Sequence, residues 1–175
     1  HPIGNFELIR EKIADCAIRT YLLESLIYRY AGLLDEAHAK AANADEKLKQ
    51  LEEYAVEASI AKVFGSDVLQ FVADEAVQMH GGYGYCDEYI VERFYRDCRI
   101  NRIFEGTNEI NRMIIPGTLL KRAMAGSLDM MAELGNILGW LKAGFPKRDA
   151  ALPLADWLFA CDQLKRLAIY VCGVG

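Results

Sequence analysis

Apolar side chains recur at steps of three and four residues through the first part of the chain, which is the period of an amphipathic α-helix. The pattern predicts one long helix from about Asn5 to Ala39, with Asn5 as its N-cap and one apolar stripe facing a core. The stripe comprises Phe6, Ile9, Ile13, Cys16, Thr20, Leu23, Ile27, Tyr30 and Leu34.

A second long helix is predicted from about Asp45 to Met79, after a polar turn at 42–46. Its later half is apolar on more than one face, so we expect it to be buried between other helices. Two long helices joined by a short turn favour an antiparallel hairpin, the half-unit of a helical bundle. The apolar positions are Val56, Ile60, Val63, Phe64, Val68, Phe71, Val72 and Ala76.

Two shorter helices follow. One is predicted over about 88–97, and the next begins near Thr107, whose hydroxyl can cap it. In that later helix, Ile110, Met113 and Ile114 are expected to face inward. Pro116 followed by a glycine should break or kink it, because proline lacks the backbone donor that a helix interior needs.

The C-terminal part carries weaker helical signals. Apolar residues over 128–138 predict a further helix, residues 144–148 a loop, and Leu154 to Cys172 a last amphipathic helix. Strand signals are almost absent, so the fold class is all-α. We expect an up-down helical bundle with extra C-terminal helices, organised as one domain over 1–123 and an additional helical segment over 124–175.

Composition narrows the function classes. The chain has 175 residues, 53% of them hydrophobic, and a net charge of −5, which disfavours nucleic-acid binding through a basic face. No apolar run approaches the roughly 20 residues that span a bilayer. Five cysteines without C-x-x-C spacing, and three histidines outside ligand spacing, indicate a reduced intracellular protein without a metal site. The start at His1, without methionine, predicts a fragment of a longer protein, and no signal peptide is visible.

A glycine-rich bend follows the second long helix at Gly81-Gly82-Tyr83-Gly84. Glycine is a common residue just after a helix, so the bend has a purely structural explanation. The alternative is a tight turn whose exposed backbone N–H groups contact a phosphate-bearing ligand. It is not the dinucleotide fingerprint, which requires a preceding strand and different spacing.

The second candidate feature is Glu105, which lies between Phe104 and Gly106 just before a predicted helix. A solvated loop acid is one interpretation of this carboxylate. The other is a general base, since apolar neighbours raise the pKa of a carboxylate toward operating pH. Between the two features lies a charged segment at 92–102, which is typical of a salt-bridged helix face and less typical of an anion site.

Three linked motifs resemble the C-terminal all-α domain of the acyl-CoA dehydrogenase family, in its very-long-chain-like branch. They are Ala76-Val77-Gln78 with Gly81-Gly82-Tyr83-Gly84, then Val91-Glu92-Arg93-Phe94-Tyr95-Arg96-Asp97, then Phe104-Glu105-Gly106-Thr107-Asn108-Glu109-Ile110. Their order and spacing agree with the family pattern over about 55–115. The helices after residue 117 resemble the extension of the very-long-chain branch.

The resemblance implies roles for single residues. Glu105 would be the catalytic base that removes the α-proton of an acyl-CoA, while a hydride leaves the β carbon for FAD. Phe104 and Gly106 would contact the substrate. The implied FAD-binding residues are Gln78, Gly81, Gly82, Thr107 and Glu109. No metal is implied.

The resemblance also implies partners and a location. These are an acyl-CoA substrate, an electron-transfer flavoprotein as electron acceptor, and a homodimer or tetramer, in the bacterial cytoplasm or the mitochondrial matrix. The last helix, with Trp157, Leu158 and Phe159, offers a peripheral membrane contact, although packing within the protein is the favoured explanation. Because the family's other domains are missing, we expect the isolated chain neither to hold FAD tightly nor to turn over. The alternatives are an acyl-CoA oxidase, an assembly-factor relative, or a structural oligomerising bundle.

Overall fold

The computed structural model describes residues 1–143 and 159–167. The helices are α1 (Glu7–Lys40), α2 (Ala44–Glu53), α3 (Ala55–His80), α4 (Ile90–Cys98), α5 (Asn108–Met124) and α6 (Met130–Ala143). Short 3₁₀ turns occupy Ile3–Asn5, Gly81–Tyr85 and Arg99–Arg102, and residues 159–167 are also helical. The described residues contain no strand, which confirms the all-α prediction.

The chain divides into two compact units, His1–Thr118 and Leu119–Gly175. The first unit contains α1 to α4 and the start of α5. The second contains α6, whose N-terminus is capped by Asp129, since Oδ1 accepts the Ala132 N–H at 3.0 Å. Ile137 on α6 is only 3% exposed. The predicted division after residue 123 stays a prediction.

Helices α1 and α3 pack antiparallel. Lys12 pairs with Glu75, and the guanidinium of Arg19 lies 3.9 Å from the ring centroid of Phe71. Farther along α1, a Cβ built on Gly65 of α3 would lie 3.4 Å from a methyl group of Leu23. Residue numbers along α1 therefore increase while those of the contacting residues on α3 decrease, as in the predicted antiparallel hairpin.

The predicted second arm is wrong in one respect, because it is two helices instead of one. The break lies at Tyr54, whose N–H bonds to the carbonyls of Gln50 and Glu52. The N-terminus of α2 is capped by Asn43, whose side chain accepts the Glu46 N–H at 2.9 Å. The break leaves the long apolar arm, α3, free to pack along α1 while the charged α2 lies at the turn.

The ends of α1 and α5 also correct the predictions. Asn5 lies in a 3₁₀ turn and Phe6 takes the N-cap position of α1, without a side-chain cap. The proline at Pro116 lies inside α5, which continues to Met124, so the helix does not break there, and the kink offered as the alternative stays a prediction. The cap at Thr107 is confirmed, since its hydroxyl accepts the Ile110 N–H at 3.2 Å.

Burial in this chain is weaker than the apolar pattern predicts. On α3, Val56 and Val68 are buried, but Ile60 is 39% exposed. Helix α1 has no fully buried residue, and its predicted stripe includes the exposed Phe6, Ile13 and Ile27. The expected inward residues of α5 are likewise exposed, namely Ile110, Met113 and Ile114. Periodicity identifies the apolar face of a helix, but burial requires a neighbour against that face.

Candidate functional site

The glycine bend ends α3. The C-cap of the helix is Gly81, with φ of 61°, a backbone conformation that glycine adopts without strain. Its N–H bonds to the carbonyl of Gln78, and the imidazole Nδ1 of His80 lies 2.7 Å from the carbonyl of Ala76. Gly81 therefore caps α3, as the structural explanation of the bend predicts, and this capping does not exclude a contact with a ligand.

Two glycines in the bend have different surroundings. A Cβ on Gly84 would lie 2.7 Å from both the carbonyl oxygen of Val77 and the Cβ of His80, so the turn needs glycine there for close packing. A Cβ on Gly82 would meet nothing within 4 Å. Gln78, Gly81 and Gly82 are all exposed, so each of these predicted cofactor residues is accessible.

The Glu105 loop follows the 3₁₀ turn at Arg99–Arg102. At the end of this turn, the N–H groups of Ile103 and Phe104 both donate to the carbonyl of Ile100. Glu105 has φ of 54°, and it is the single non-glycine residue with positive φ among those described. Gly106 follows with φ of 84°. For a glutamate, the left-handed region costs about 1–3 kcal/mol, and such strain is concentrated at functional sites.

Both Glu105 and Phe104 are exposed in this chain, and Phe104 is 45% exposed. The apolar enclosure expected around the carboxylate is therefore not supplied by the described residues. Sequence position places Glu105 beside an aromatic ring and a glycine, but an enclosed site needs further surfaces over it.

A lysine from α3 holds this loop. The ammonium of Lys62 donates to the carbonyl oxygen of Gly106 at 2.7 Å and to Oδ1 of Asn108 at 2.7 Å. The Asn111 amide also donates to the Gly106 carbonyl at 3.0 Å and to the Thr107 carbonyl at 3.1 Å. Two successive carbonyls after Glu105 are thus fixed by side chains.

Asn108 is the centre of a buried polar network, with only 1% of its surface exposed. Its amide nitrogen donates to the Ser66 hydroxyl at 2.8 Å and to Asp67 at 3.2 Å. Asp67 in turn pairs with Arg102 at 3.0 Å and with Arg112 at 2.7 Å. The network joins α3 to both sides of the Glu105 loop, and buried polar networks that are fully bonded specify one arrangement.

Sequence reasoning missed this network. A signal was present, because Lys62, Ser66 and Asp67 are polar residues within the mostly apolar stretch 60–69. The spacing of four places Lys62 and Ser66 on one face of the helix, and Asp67 follows Ser66 directly at the side of that face. Polar residues on a face that should be buried indicate that something polar lies opposite.

Glu109 lies in the first turn of α5. Its own backbone N–H and the Thr107 hydroxyl stabilise the charged form, and they lower the pKa of this carboxyl; Arg112 and Arg102 add smaller effects in the same direction. Glu109 is therefore an anion at neutral pH. Thr107 and Glu109 form a compact start to the helix, as acidic residues at a helix N-terminus do.

A cavity of about 720 Å³ lies between the end of α3 and α4. Its lining includes Tyr85, Cys86, Arg96 and Arg99, and Glu105 does not belong to it. Arg96 pairs with Glu92 at 3.3 Å, which favours the salt-bridged interpretation of the charged segment.

Within 1–143 and 159–167, no group of three His, Cys, Asp or Glu side chains is arranged to hold a metal ion. Among the helices of the same ranges, none is long and apolar enough to cross a membrane. The thiols of Cys16, Cys86, Cys98 and Cys161 are free.

Comparison with known proteins supplies the family. Residues 1–120 match the sequence model of the family described as acyl-CoA dehydrogenase, C-terminal domain. A probable acyl-CoA dehydrogenase of Bacillus subtilis is 43% identical, over 99% of this chain and 30% of its own length. The very long-chain specific acyl-CoA dehydrogenase of cattle mitochondria is 37% identical, over 95% of this chain and 22% of its own length.

A solved structure agrees with the sequence relatives. The acyl-CoA dehydrogenase of Bacillus anthracis, complexed with FAD, matches with a TM-score of 0.94 and 43% identity, over 99% of this chain and 30% of that one. The present chain therefore spans less than a third of the length of these relatives.

Proposed function

The chain belongs to the acyl-CoA dehydrogenase family, and from this premise we propose that it is the C-terminal part of an FAD-dependent acyl-CoA dehydrogenase. The complete enzyme would desaturate an acyl-CoA thioester between its α and β carbons. The observation that carries the proposal is the left-handed Glu105, which is followed by a Gly106 carbonyl that accepts a hydrogen bond from Lys62 on α3. The similarity to a structure that contains FAD supports it.

In this proposal Glu105 is the catalytic base. Its carboxylate takes the α-proton of the thioester, and its backbone N–H polarises the thioester carbonyl as in an oxyanion hole. FAD, when bound, accepts the hydride that leaves the β carbon. Phe104 and Gly106 would contact the substrate, since the exposed ring offers an apolar surface and the glycine permits close approach.

The residues proposed to contact FAD fit such a group. Gln78, Gly81 and Gly82 form an exposed surface, and the space beside Gly82 is free of other atoms of this chain. Thr107 offers a hydroxyl at the start of α5. Glu109 is anionic, so it suits a hydroxyl or amino group of the cofactor and would repel its phosphates.

We propose that the 175-residue chain alone does not retain FAD tightly. The bend and the Glu105 loop are both exposed, whereas sites that hold a cofactor firmly bury most of its surface. The measurement is the flavin absorbance of the purified chain after gel filtration with excess FAD. A stoichiometric flavin spectrum, with dye reduction on adding an acyl-CoA, would contradict this.

The proposed partners are an acyl-CoA substrate, an electron-transfer flavoprotein as acceptor and further copies of the chain in a dimer or tetramer. Exposed apolar residues along α1, such as Ile18, Leu22 and Tyr28, support association with other protein surfaces. We place the protein in a bacterial cytoplasm or the mitochondrial matrix. The membrane contact remains a proposal, since Trp157 and Leu158 lie outside the described residues.

The test is Glu105→Gln in the full-length protein. Loss of the base should lower turnover and α-proton exchange, measured by deuterium incorporation from solvent, by about 10²–10⁴-fold. FAD content should stay unchanged. The matched control is Glu11→Gln, which neutralises an exposed carboxylate on α1. If both variants exchange the α-proton at the wild-type rate, the catalytic role is wrong and a structural bundle is the better description.

A further inference from the structure

We propose that Lys62 is a positioning residue for Glu105, an inference that rests on the proposed function of that carboxylate. Lys62 lies on α3, 44 residues before Gly106, and it reaches the carbonyl oxygen directly after Glu105. Its two hydrogen bonds go to Gly106 and Asn108, and none goes to the three residues proposed to meet FAD at the bend. Its role follows from what its ammonium does to the backbone of the loop.

The loop needs an external restraint. Glu105 and Gly106 both have positive φ, and a glutamate adopts this conformation only where the surroundings over-determine it. The ammonium of Lys62 supplies a charge-assisted hydrogen bond to the Gly106 carbonyl at 2.7 Å, and such bonds are roughly twice as strong as neutral ones. The direction of the Glu105 side chain is coupled to this backbone geometry.

The lysine is itself held in place. A second bond at 2.7 Å joins its ammonium to Oδ1 of the buried Asn108, whose amide nitrogen is bonded to Ser66 and Asp67. Ser66 and Asp67 lie on the same helix as Lys62. Both the oxygen and the nitrogen of the Asn108 amide are therefore hydrogen-bonded to α3, which holds the Glu105 loop against a rigid helix. Precise orientation of a base requires such support.

Orientation has kinetic weight, because displacement of a catalytic group by about 1 Å can lower a rate by 10²-fold. A lysine that served only to join two helices would affect folding but not the reactivity of Glu105. The chain offers a matched control for that case: Lys12 joins α1 to α3 through Glu75, away from the Glu105 loop.

The experiment uses the full-length flavoprotein with Lys62→Met, Lys62→Arg and Lys12→Met. We expect Lys62→Met to lower kcat by on the order of 10–100-fold while the FAD content stays at the wild-type level. Lys62→Arg keeps charged donors and should restore much of that loss. Lys12→Met should leave kcat unchanged, even if it lowers the melting temperature.

A second readout is independent of activity. Hydrogen–deuterium exchange of the peptide that covers 103–109 should be faster in Lys62→Met by on the order of 10-fold, because the loop loses its restraint. The same peptide should be unaffected in Lys12→Met. If Lys62→Met fails to retain FAD, the exchange experiment on the apoprotein and the activity of Lys62→Arg still decide the matter.

The outcomes separate the two proposals. Wild-type kcat together with wild-type exchange at 103–109 in Lys62→Met overturns the positioning role. Faster exchange at 103–109 without any change of kcat also overturns it, because the restraint would then have no catalytic consequence. If Glu105→Gln keeps full α-proton exchange, the proposed base is wrong, whatever Lys62 does to the loop.

Discussion

Two of the three glycines of the bend, Gly82 and Gly84, allow a sharp test of the packing. Gly84→Ala would place a Cβ 2.7 Å from the carbonyl oxygen of Val77 and 2.7 Å from the Cβ of His80. Neither neighbour can yield easily, since one is helix backbone and the other is the root of a side chain. Gly82→Ala meets nothing within 4 Å, and Gly82 does not have positive φ.

Overpacking of this kind costs about 1–3 kcal/mol. For a chain of this size, 1 kcal/mol shifts the melting temperature by about 2–4 °C, so Gly84→Ala should melt roughly 2–12 °C lower. Gly82→Ala should be neutral or stabilising by up to about 1 kcal/mol, because alanine restricts the unfolded chain. Thermal unfolding of both variants, followed by far-UV circular dichroism, gives the comparison. Equal melting temperatures for Gly84→Ala and wild type would refute the close packing described here.

Two further predictions concern ionisable groups. The pKa of Glu109 is lowered in the folded chain, so its stabilising effect is complete above the ordinary pKa of a glutamate and disappears as pH falls through the lower folded value. Glu109→Gln should therefore melt below wild type at pH 7, with the difference vanishing in acid; a difference that persists at the lowest pH would contradict this origin. Cys98 is 2% exposed and burial raises the pKa of its thiol, whereas Cys86 is exposed. In the folded protein, iodoacetamide should modify Cys86 well before Cys98, and in denaturant it should modify both at the same rate, as measured by mass spectrometry. Equal modification rates without denaturant would contradict the burial of Cys98.

The helices were largely predictable because their signals are local. The spacing of apolar residues predicted α1, and the capping hydroxyl of Thr107 predicted the start of α5. Local signals were weaker where tertiary contacts compete with them. Tyr54 carries no breaker residue beside it, yet the second arm divides there, and Pro116 carries a strong breaker signal, yet α5 continues through it.

Burial was the least predictable property. Ile13 and Ile27 belong to the periodic stripe of α1, but both stay exposed because α3 covers only part of that face. An apolar helix face indicates that contact with another apolar surface is favourable, but it does not indicate which surface makes that contact.

What this sequence determined by itself is most of the helical pattern, the glycine bend and the motif around Glu105, since each depends on residues that are close in the chain. The tertiary structure decided the conformation of the Glu105 loop. Lys62 meets the Gly106 carbonyl and Asn108 across 44 and 46 residues, and only the packing of α3 beside the loop brings these groups together. A strained glutamate can persist there because contacts distant in sequence offset its cost, and no local pattern records such contacts.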